Sequence, residues 1–235
     1  IHKGFPYFGW LMAIKTAPLK MAAKLGISII FYAEEGETEY GGSIALKDVP
    51  FYDIGFIRDV YFEGGQDLVF KESGLGDDAL TFFRFPTENE IGNSQLKITH
   101  WSYFENWDPY RNYLVAKENC GLIESADTNS GTFTNFAQND QALYSLHAYM
   151  MYLKFGFGRA TQDAGIEIRR GAMSREQAIN LVRLYDGTYP ENFVDLYLDY
   201  YQMSRTEFDS VIDKWVNPDL FTKENGRWKP TFTIK

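Results

Sequence analysis

The pattern of apolar and polar positions changes period at Ile27. Upstream, residues from about 5 to 25 place Met12, Ala13, Leu19, Met21, Ala22 and Leu25 among Lys15, Lys20 and Lys24, which predicts a helix stopped by Gly26. Ile27-Ser-Ile-Ile-Phe-Tyr-Ala33 then forms an apolar run rich in β-branched and aromatic residues, which predicts a buried strand of a parallel sheet. The run closes on Glu34, Glu35, Glu37 and Glu39, followed by the Gly41-Gly42 break. In α/β proteins ligands bind just beyond the carboxyl ends of parallel strands. The acidic cluster reads equally as a site there or as a solvated turn.

Downstream the pattern is mostly helical. Ile54, Ile57, Val60 and Tyr61 have helical spacing within 53–62. Residues 64–76 read as a Gly-rich loop or lid, 77–85 as a short helix ending before Pro86, and 87–94 as a turn-rich connector. Gln95 to Trp101 alternates as a half-buried strand does. Asp108-Pro109 is a helix start that runs to about Asn119 and stops at Gly121. Residues 124–131 read as a surface loop, and about 140–155 as a helix apolar nearly all round, hence buried. Ser174-Arg-Glu-Gln177 and Ser204-Arg-Thr-Glu207 fit capping boxes, with a further short helix from Pro190 to Tyr201 and a tail strand over 228–234. The expected organisation is an α/β domain over 1–172 and a helical C-terminal module over 173–235.

Composition narrows the function classes. The 235 residues are 45% hydrophobic and 23% charged, the balance of a globular protein. A net charge of -9 argues against general nucleic-acid binding, which needs a basic footprint. A single cysteine, Cys120, excludes an intrachain disulfide and a cysteine zinc site; at a helix end it reads as a buried structural thiol. No stretch is long and apolar enough to span a membrane. His2, His100 and His147 form no metal-ligand spacing, and there is no nucleophile elbow, dinucleotide-binding glycine motif or Walker loop.

Three stretches are candidates for chemistry. Carboxylates after the first strand suit Mg²⁺ beside phosphates, or ribose hydroxyls. Residues 156–171 bring Arg159, Arg169 and Arg170 together with flexible glycines, the makings of an anion site or of internal salt bridges. Gly131 to Asp140 is polar, precedes a helix, and serves either an anion or an N-cap.

Several segments carry a family resemblance. They are Tyr32-Ala-Glu-Glu-Gly-Glu-Thr-Glu-Tyr-Gly-Gly42, His100-Trp-Ser-Tyr-Phe-Glu-Asn-Trp-Asp-Pro109, Gly131-Thr-Phe-Thr-Asn135, Gly156-Phe-Gly-Arg-Ala-Thr-Gln-Asp-Ala164 and Ile168-Arg-Arg-Gly-Ala-Met-Ser-Arg-Glu-Gln-Ala178. Together they resemble the N-acetyl sugar amidotransferases of bacterial surface-polysaccharide biosynthesis (lipopolysaccharide, O-antigen or nonulosonic acid), members of the PP-loop ATP pyrophosphatase superfamily. The resemblance runs through nearly the whole chain. It implies an α/β fold, a partial parallel-sheet PP-loop domain (adenine nucleotide α-hydrolase-like) followed by a mostly helical module. Family members also carry an N-terminal Ser-Gly-Gly-Lys-Asp-Ser phosphate loop and, upstream of it, cysteine pairs. Neither is present, so the chain is expected to be the C-terminal two-thirds or so of such an enzyme. A chain opening on a helix and then a buried strand fits that expectation, as does its start at Ile1.

The resemblance further implies a cytoplasmic enzyme using ATP and Mg²⁺, an N-acetyl sugar substrate, and glutaminase and cyclase-like partner subunits that supply ammonia. Glu34 and Glu39, with Tyr40 and Gly41, match the strand-end motif and are expected to contact Mg-ATP or substrate. Arg159, Arg169 and Arg170 are expected on phosphate or sugar nucleotide, with Asp163 orienting an arginine. Two other readings stay open: a PP-loop relative acting on tRNA or a small metabolite, and a non-catalytic fragment that docks the ammonia-supplying subunits.

Overall fold

The structure is a computed structural model and describes residues 3–34, 49–62, 66–92, 95–137 and 141–235. The chain divides into two compact units, a smaller one over 8–107 and a larger one made of 3–7 and 108–235. Segment 173–235, read from the sequence as a module, forms part of the larger unit. The architecture is mixed α and β, mostly helical, with one parallel and one antiparallel strand pair.

In the smaller unit, α1 (Phe8–Leu25) ends at Gly26, whose φ of +68° is the left-handed conformation that terminates helices. Its buried positions Phe8, Met12, Lys15, Thr16, Leu19 and Ala22 lie along one stripe. β1 (Ile29–Tyr32) pairs in parallel with β2 (Lys97–His100), in a register that joins Ile29 to Lys97 and Tyr32 to His100. The parallel pairing is as expected, but β1 is not a buried strand. Ile29 and Phe31 are 50% and 46% exposed, while Ile30 and Tyr32 alternate to the half-buried side. Among the described residues β1 pairs with β2 alone; β2 has β1 on one flank and Tyr52 bridged to Ile98 on the other, and is the better buried of the two.

Other local expectations for this unit need correction. Residues 64–76 are not a plain loop: within the described part, α3 (Asp67–Ser73) forms and stops at left-handed Gly74. Residues 77–85 form hydrogen-bonded turns rather than a helix, and the connector at 87–94 contains α4 (Glu88–Ile91), capped by Thr87 and Glu90. The helical spacing over 53–62 holds. Asp53 caps α2 (Ile54–Phe56), which runs on into a π turn, Ile57–Tyr61. That wider turn adjusts the buried face so that Ile57 and Phe62 both enter the core.

The larger unit is built around α6 (Leu143–Phe155), the apolar helix foreseen in the sequence. Leu146, Met150, Tyr152 and Leu153 pack with Tyr197 of α9 (Val194–Tyr201), Phe208 and Ile212 of α10 (Arg205–Trp215), Val216, and Phe221 of β3 (Phe221–Glu224). A smaller cluster joins Ala164 of α7 (Arg159–Arg169) to Ala178 and Val182 of α8 (Arg175–Tyr185). Both capping boxes form as read: Ser174 with Gln177, and Ser204 with Glu207. α5 (Pro109–Cys120) starts on Asp108 and ends at left-handed Gly121, yet it buries none of its residues. Cys120 is therefore exposed, not a core thiol. The tail is a hairpin. β4 (Arg227–Pro230) folds back on β3 through Asn225 and Gly226, both at positive φ, as a two-residue type I′ turn requires.

Candidate functional site

In the smaller unit, polar groups gather at the carboxyl end of the parallel pair. Tyr32 and His100 are register partners and the last residues of their strands, and their rings stack at 5.4 Å. Tyr52 covers His100 from another side at 5.6 Å, with its hydroxyl 3.2 Å from Nδ1. His100 is 2% exposed, and burial, with the Lys15 charge second, lowers its pKa to about 4. The imidazole is therefore neutral near pH 7. Lys15 is 3% exposed, and its ammonium stands 4.1 Å above the Tyr32 ring and 4.7 Å from that of Tyr61. Two aromatic faces offset part of the cost of burying that cation. The Tyr32 hydroxyl donates to the Ile14 carbonyl at 2.9 Å; burial, then the negative charge of Glu34, raises its pKa.

Glu34 is exposed just past β1, where its charge acts on the Tyr32 hydroxyl. Glu39, Tyr40 and Gly41 lie outside the described residues. Among the described residues no group of His, Cys, Asp and Glu is placed to hold a metal ion. Of the strand-end glutamates, Glu34 alone falls among them.

In the larger unit, the arginines expected on glycine-permitted turns belong to a helix. α7 begins at Arg159, and its first amides are served by the chain itself: Asp186 accepts from Gly158 N at 2.8 Å and from Thr161 N at 3.3 Å, and also from the Thr161 hydroxyl at 2.5 Å. Burial nevertheless dominates at Asp186 and raises its pKa. Arg159 Nε meets Asp163 Oδ1 at 2.7 Å, and the Thr132 hydroxyl donates to the other Asp163 oxygen at 2.5 Å. Burial raises the Asp163 pKa against the pull of Arg159 and Thr132. Arg170 bridges Glu167 and Asp108, at 2.7 Å to each. Arg169 is exposed in the last turn. Ten helical residues separate it from Arg159, an axial rise of about 15 Å. Arg159 and Asp163 are thus brought together, whereas Arg159 and Arg169 do not converge on one small anion.

Lys15 and Tyr52 in one unit, and Asp186 in the other, carry polar chemistry that sequence reasoning passed over; His100 was set aside for want of metal-ligand spacing, and Thr132 lies in the polar stretch 131–140 already singled out. One signal was available: Lys15 falls on the buried stripe of α1, between Met12 and Leu19, where a lysine needs a reason. Nothing local marked Asp186, whose partners lie 25 and 28 residues away.

Residues 130–235 match the family model described as LPS biosynthesis protein WbpG-like, C-terminal domain. The match covers less than half of the chain, falls entirely within the larger unit, and supports a WbpG-like lipopolysaccharide biosynthesis family. No curated protein sequence matches the chain.

Proposed function

We propose that this protein is part of an ATP-dependent amidotransferase that converts the acetamido group of an N-acetyl sugar, free or nucleotide-linked, into an acetamidino group for lipopolysaccharide biosynthesis. The observation that carries the reading is the match of residues 130–235 to the WbpG-like domain. The parallel strand pair with polar groups at its carboxyl end supports a PP-loop relative, because such ends are where α/β folds bind ligands. The absence of any described helix long and apolar enough to cross a membrane fits a cytoplasmic enzyme.

The chemistry needs an activated amide oxygen. The acetamido oxygen attacks the α-phosphorus of ATP, and pyrophosphate leaves. Ammonia then adds to the imidate carbon, and AMP departs with the former carbonyl oxygen. Adenylation turns a poor leaving group into a good one, and cations screen the phosphate charge that develops. Glu34, with Glu39, Tyr40 and Gly41, is assigned to ATP or substrate contact. Arg159, Arg169 and Arg170 are assigned to phosphate or sugar-nucleotide contact, with Asp163 as a positioning residue that fixes the Arg159 guanidinium. Mg²⁺ would accompany ATP and neutralise part of its phosphate charge. Ammonia is itself a nucleophile and needs no general base; glutaminase and cyclase-like subunits are its proposed source.

The test is pyrophosphate release by the intact enzyme supplied with ATP, ammonium and a panel of acetamido sugars and sugar nucleotides. Release that depends on the acetamido sugar, with mass-spectrometric replacement of oxygen by NH, is the expected result. Release that ignores the sugar, or that requires tRNA, overturns the reading.

A further inference from the structure

α7 starts without a cap of its own. Its cap position is Gly158, which has no side chain to take the first amides, and its first turn holds a cation, Arg159, and no acidic residue. A guanidinium at a helix amino end faces the positive end of the dipole, which weakens the helix unless a negative group stands beside it.

Asp186 is that group. It sits just past α8, its own amide bonded to the Val182 carbonyl at 3.0 Å. Its carboxylate accepts from the amides of Gly158 and Thr161 and from the Thr161 hydroxyl. The fit is close: a Cβ on Gly158 would come within 2.7 Å of Asp186 Oδ1. Gly187, left-handed at φ +77° and set against the Tyr152 ring, fixes where the chain turns after Asp186.

These bonds bracket Arg159. Gly158 before it and Thr161 after it are tied to Asp186, and between them Ala160 donates its amide to the Gly131 carbonyl at 3.0 Å. The next residue of that loop, Thr132, holds the Asp163 carboxyl that receives Arg159 Nε. The backbone around Arg159 and its charged head are thus both held, by groups distant in sequence. Arginine is among the side chains that lose most freedom when ordered, so holding it in advance lowers the cost of binding an anion. Because Asp186 takes the amides, an external anion at this end meets the guanidinium and not the helix start.

We infer that Asp186 is a positioning residue: by holding the start of α7 it sets the place of the Arg159 guanidinium for the anionic part of the substrate. The inference rests on the amidotransferase reading, in which Arg159 contacts phosphate or sugar nucleotide, and adds to it the residue that aims that contact.

The test combines KM and kcat for sugar-dependent pyrophosphate release by the intact enzyme with NMR hydrogen exchange at Arg159 Nε. Gly158→Ala pushes the Asp186 carboxylate aside without removing it. It should raise KM about fivefold or more with kcat within about twofold, and speed exchange at Arg159 Nε about tenfold. Asp186→Ala should raise KM further, and Asp186→Asn, which keeps an oxygen acceptor, should recover most of that loss. Adding Asp186→Ala to Arg159→Ala should raise KM no further than Arg159→Ala alone, because both act through one group. A fall in kcat with KM unmoved, or losses that multiply in the double variant, would make Asp186 a support of the fold only and overturn the inference. Should Asp186→Ala fail to fold, Gly158→Ala decides by the same readings. If the parent enzyme shows no sugar-dependent release, the amidotransferase reading fails instead; exchange at Arg159 Nε that Gly158→Ala leaves unchanged then overturns the positioning as well, and faster exchange upholds it.

Discussion

Arg159 and Asp163 stand one turn apart on α7, their charged groups 2.7 Å apart and both largely buried. Truncating the arginine leaves a carboxylate whose burial already disfavours its charged form. Arg159→Ala should therefore cost about 3 kcal/mol or more in urea unfolding. Adding Asp163→Asn should recover at least about 1 kcal/mol, because the buried charge goes while the amide oxygen still accepts from Thr132. A single variant as stable as the parent would mean that the Asp163 carboxyl does not depend on Arg159 in the fold. The proposed ligand role of Arg159 is separable: it is read as a rise in KM in variants that remain folded.

The two buried imidazoles set an acid limit. His100 and His147 both have a folded-state pKa lowered to about 4, chiefly by burial. Between pH 6.5 and about 4 the unfolded chain binds protons that the folded chain does not, so stability must fall as pH falls through that window. The ceiling is about 3 kcal/mol for each histidine. Asp163 and Asp186 act in the opposite sense: burial raises their pKa, so their protonation favours the fold at the acid end. The clean measurement is therefore a difference. His147→Phe keeps the ring contacts with Phe5 and Tyr7 and should flatten the dependence of urea midpoint on pH between 6.5 and 4. An unchanged slope would mean that His147 is charged in the fold.

Gly187 has a φ of +77°, and a Cβ there would run into the Tyr152 ring. Backbone strain and clash act together, so Gly187→Ala should destabilise by about 2 kcal/mol or more. Gly171 has a similar φ of +75° but open space around it, and Gly171→Ala serves as the comparison. Thermal melts in which both variants lose the same amount would remove the steric contribution of Tyr152.

Cys120 ends a helix that buries none of its residues, and its thiol is exposed. Ellman's reagent should titrate one thiol in the native protein at close to the rate seen in urea. Protection by more than about tenfold would return Cys120 to an interior.

The sequence reading was strongest where the determinants are neighbours in the chain. The Ser174 and Ser204 caps need only residues three apart, the stop at Gly121 needs only a glycine, and an all-round apolar α6 has to be buried wherever it packs. Asn225-Gly226 carried a legible hairpin signal of the same local kind, although the tail was expected to be a single strand. Three further readings failed for one reason, partners distant in sequence. An apolar β1 was taken as interior, but it is an edge strand of the described sheet. Cys120, at a helix end, was taken as a buried thiol, but α5 buries none of its residues and Cys120 is exposed. The glycines of 156–171 were taken as turns, but Gly165 sits within α7, whose start is held by Asp186 far along the chain.

The chain by itself therefore determined α1, α5, α6 and the capped helices α8 and α10, the parallel strand signal, and the segments that resemble sugar amidotransferases. Propensity, capping and periodicity act over three or four residues and are written locally. Tertiary structure alone decided which polar groups meet. It set His100 between Tyr32 and Tyr52, Lys15 over Tyr32, and Asp163 between Arg159 and Thr132. Burial and charge proximity depend on distance in space, and the hydrophobic collapse that sets those distances involves the whole chain at once.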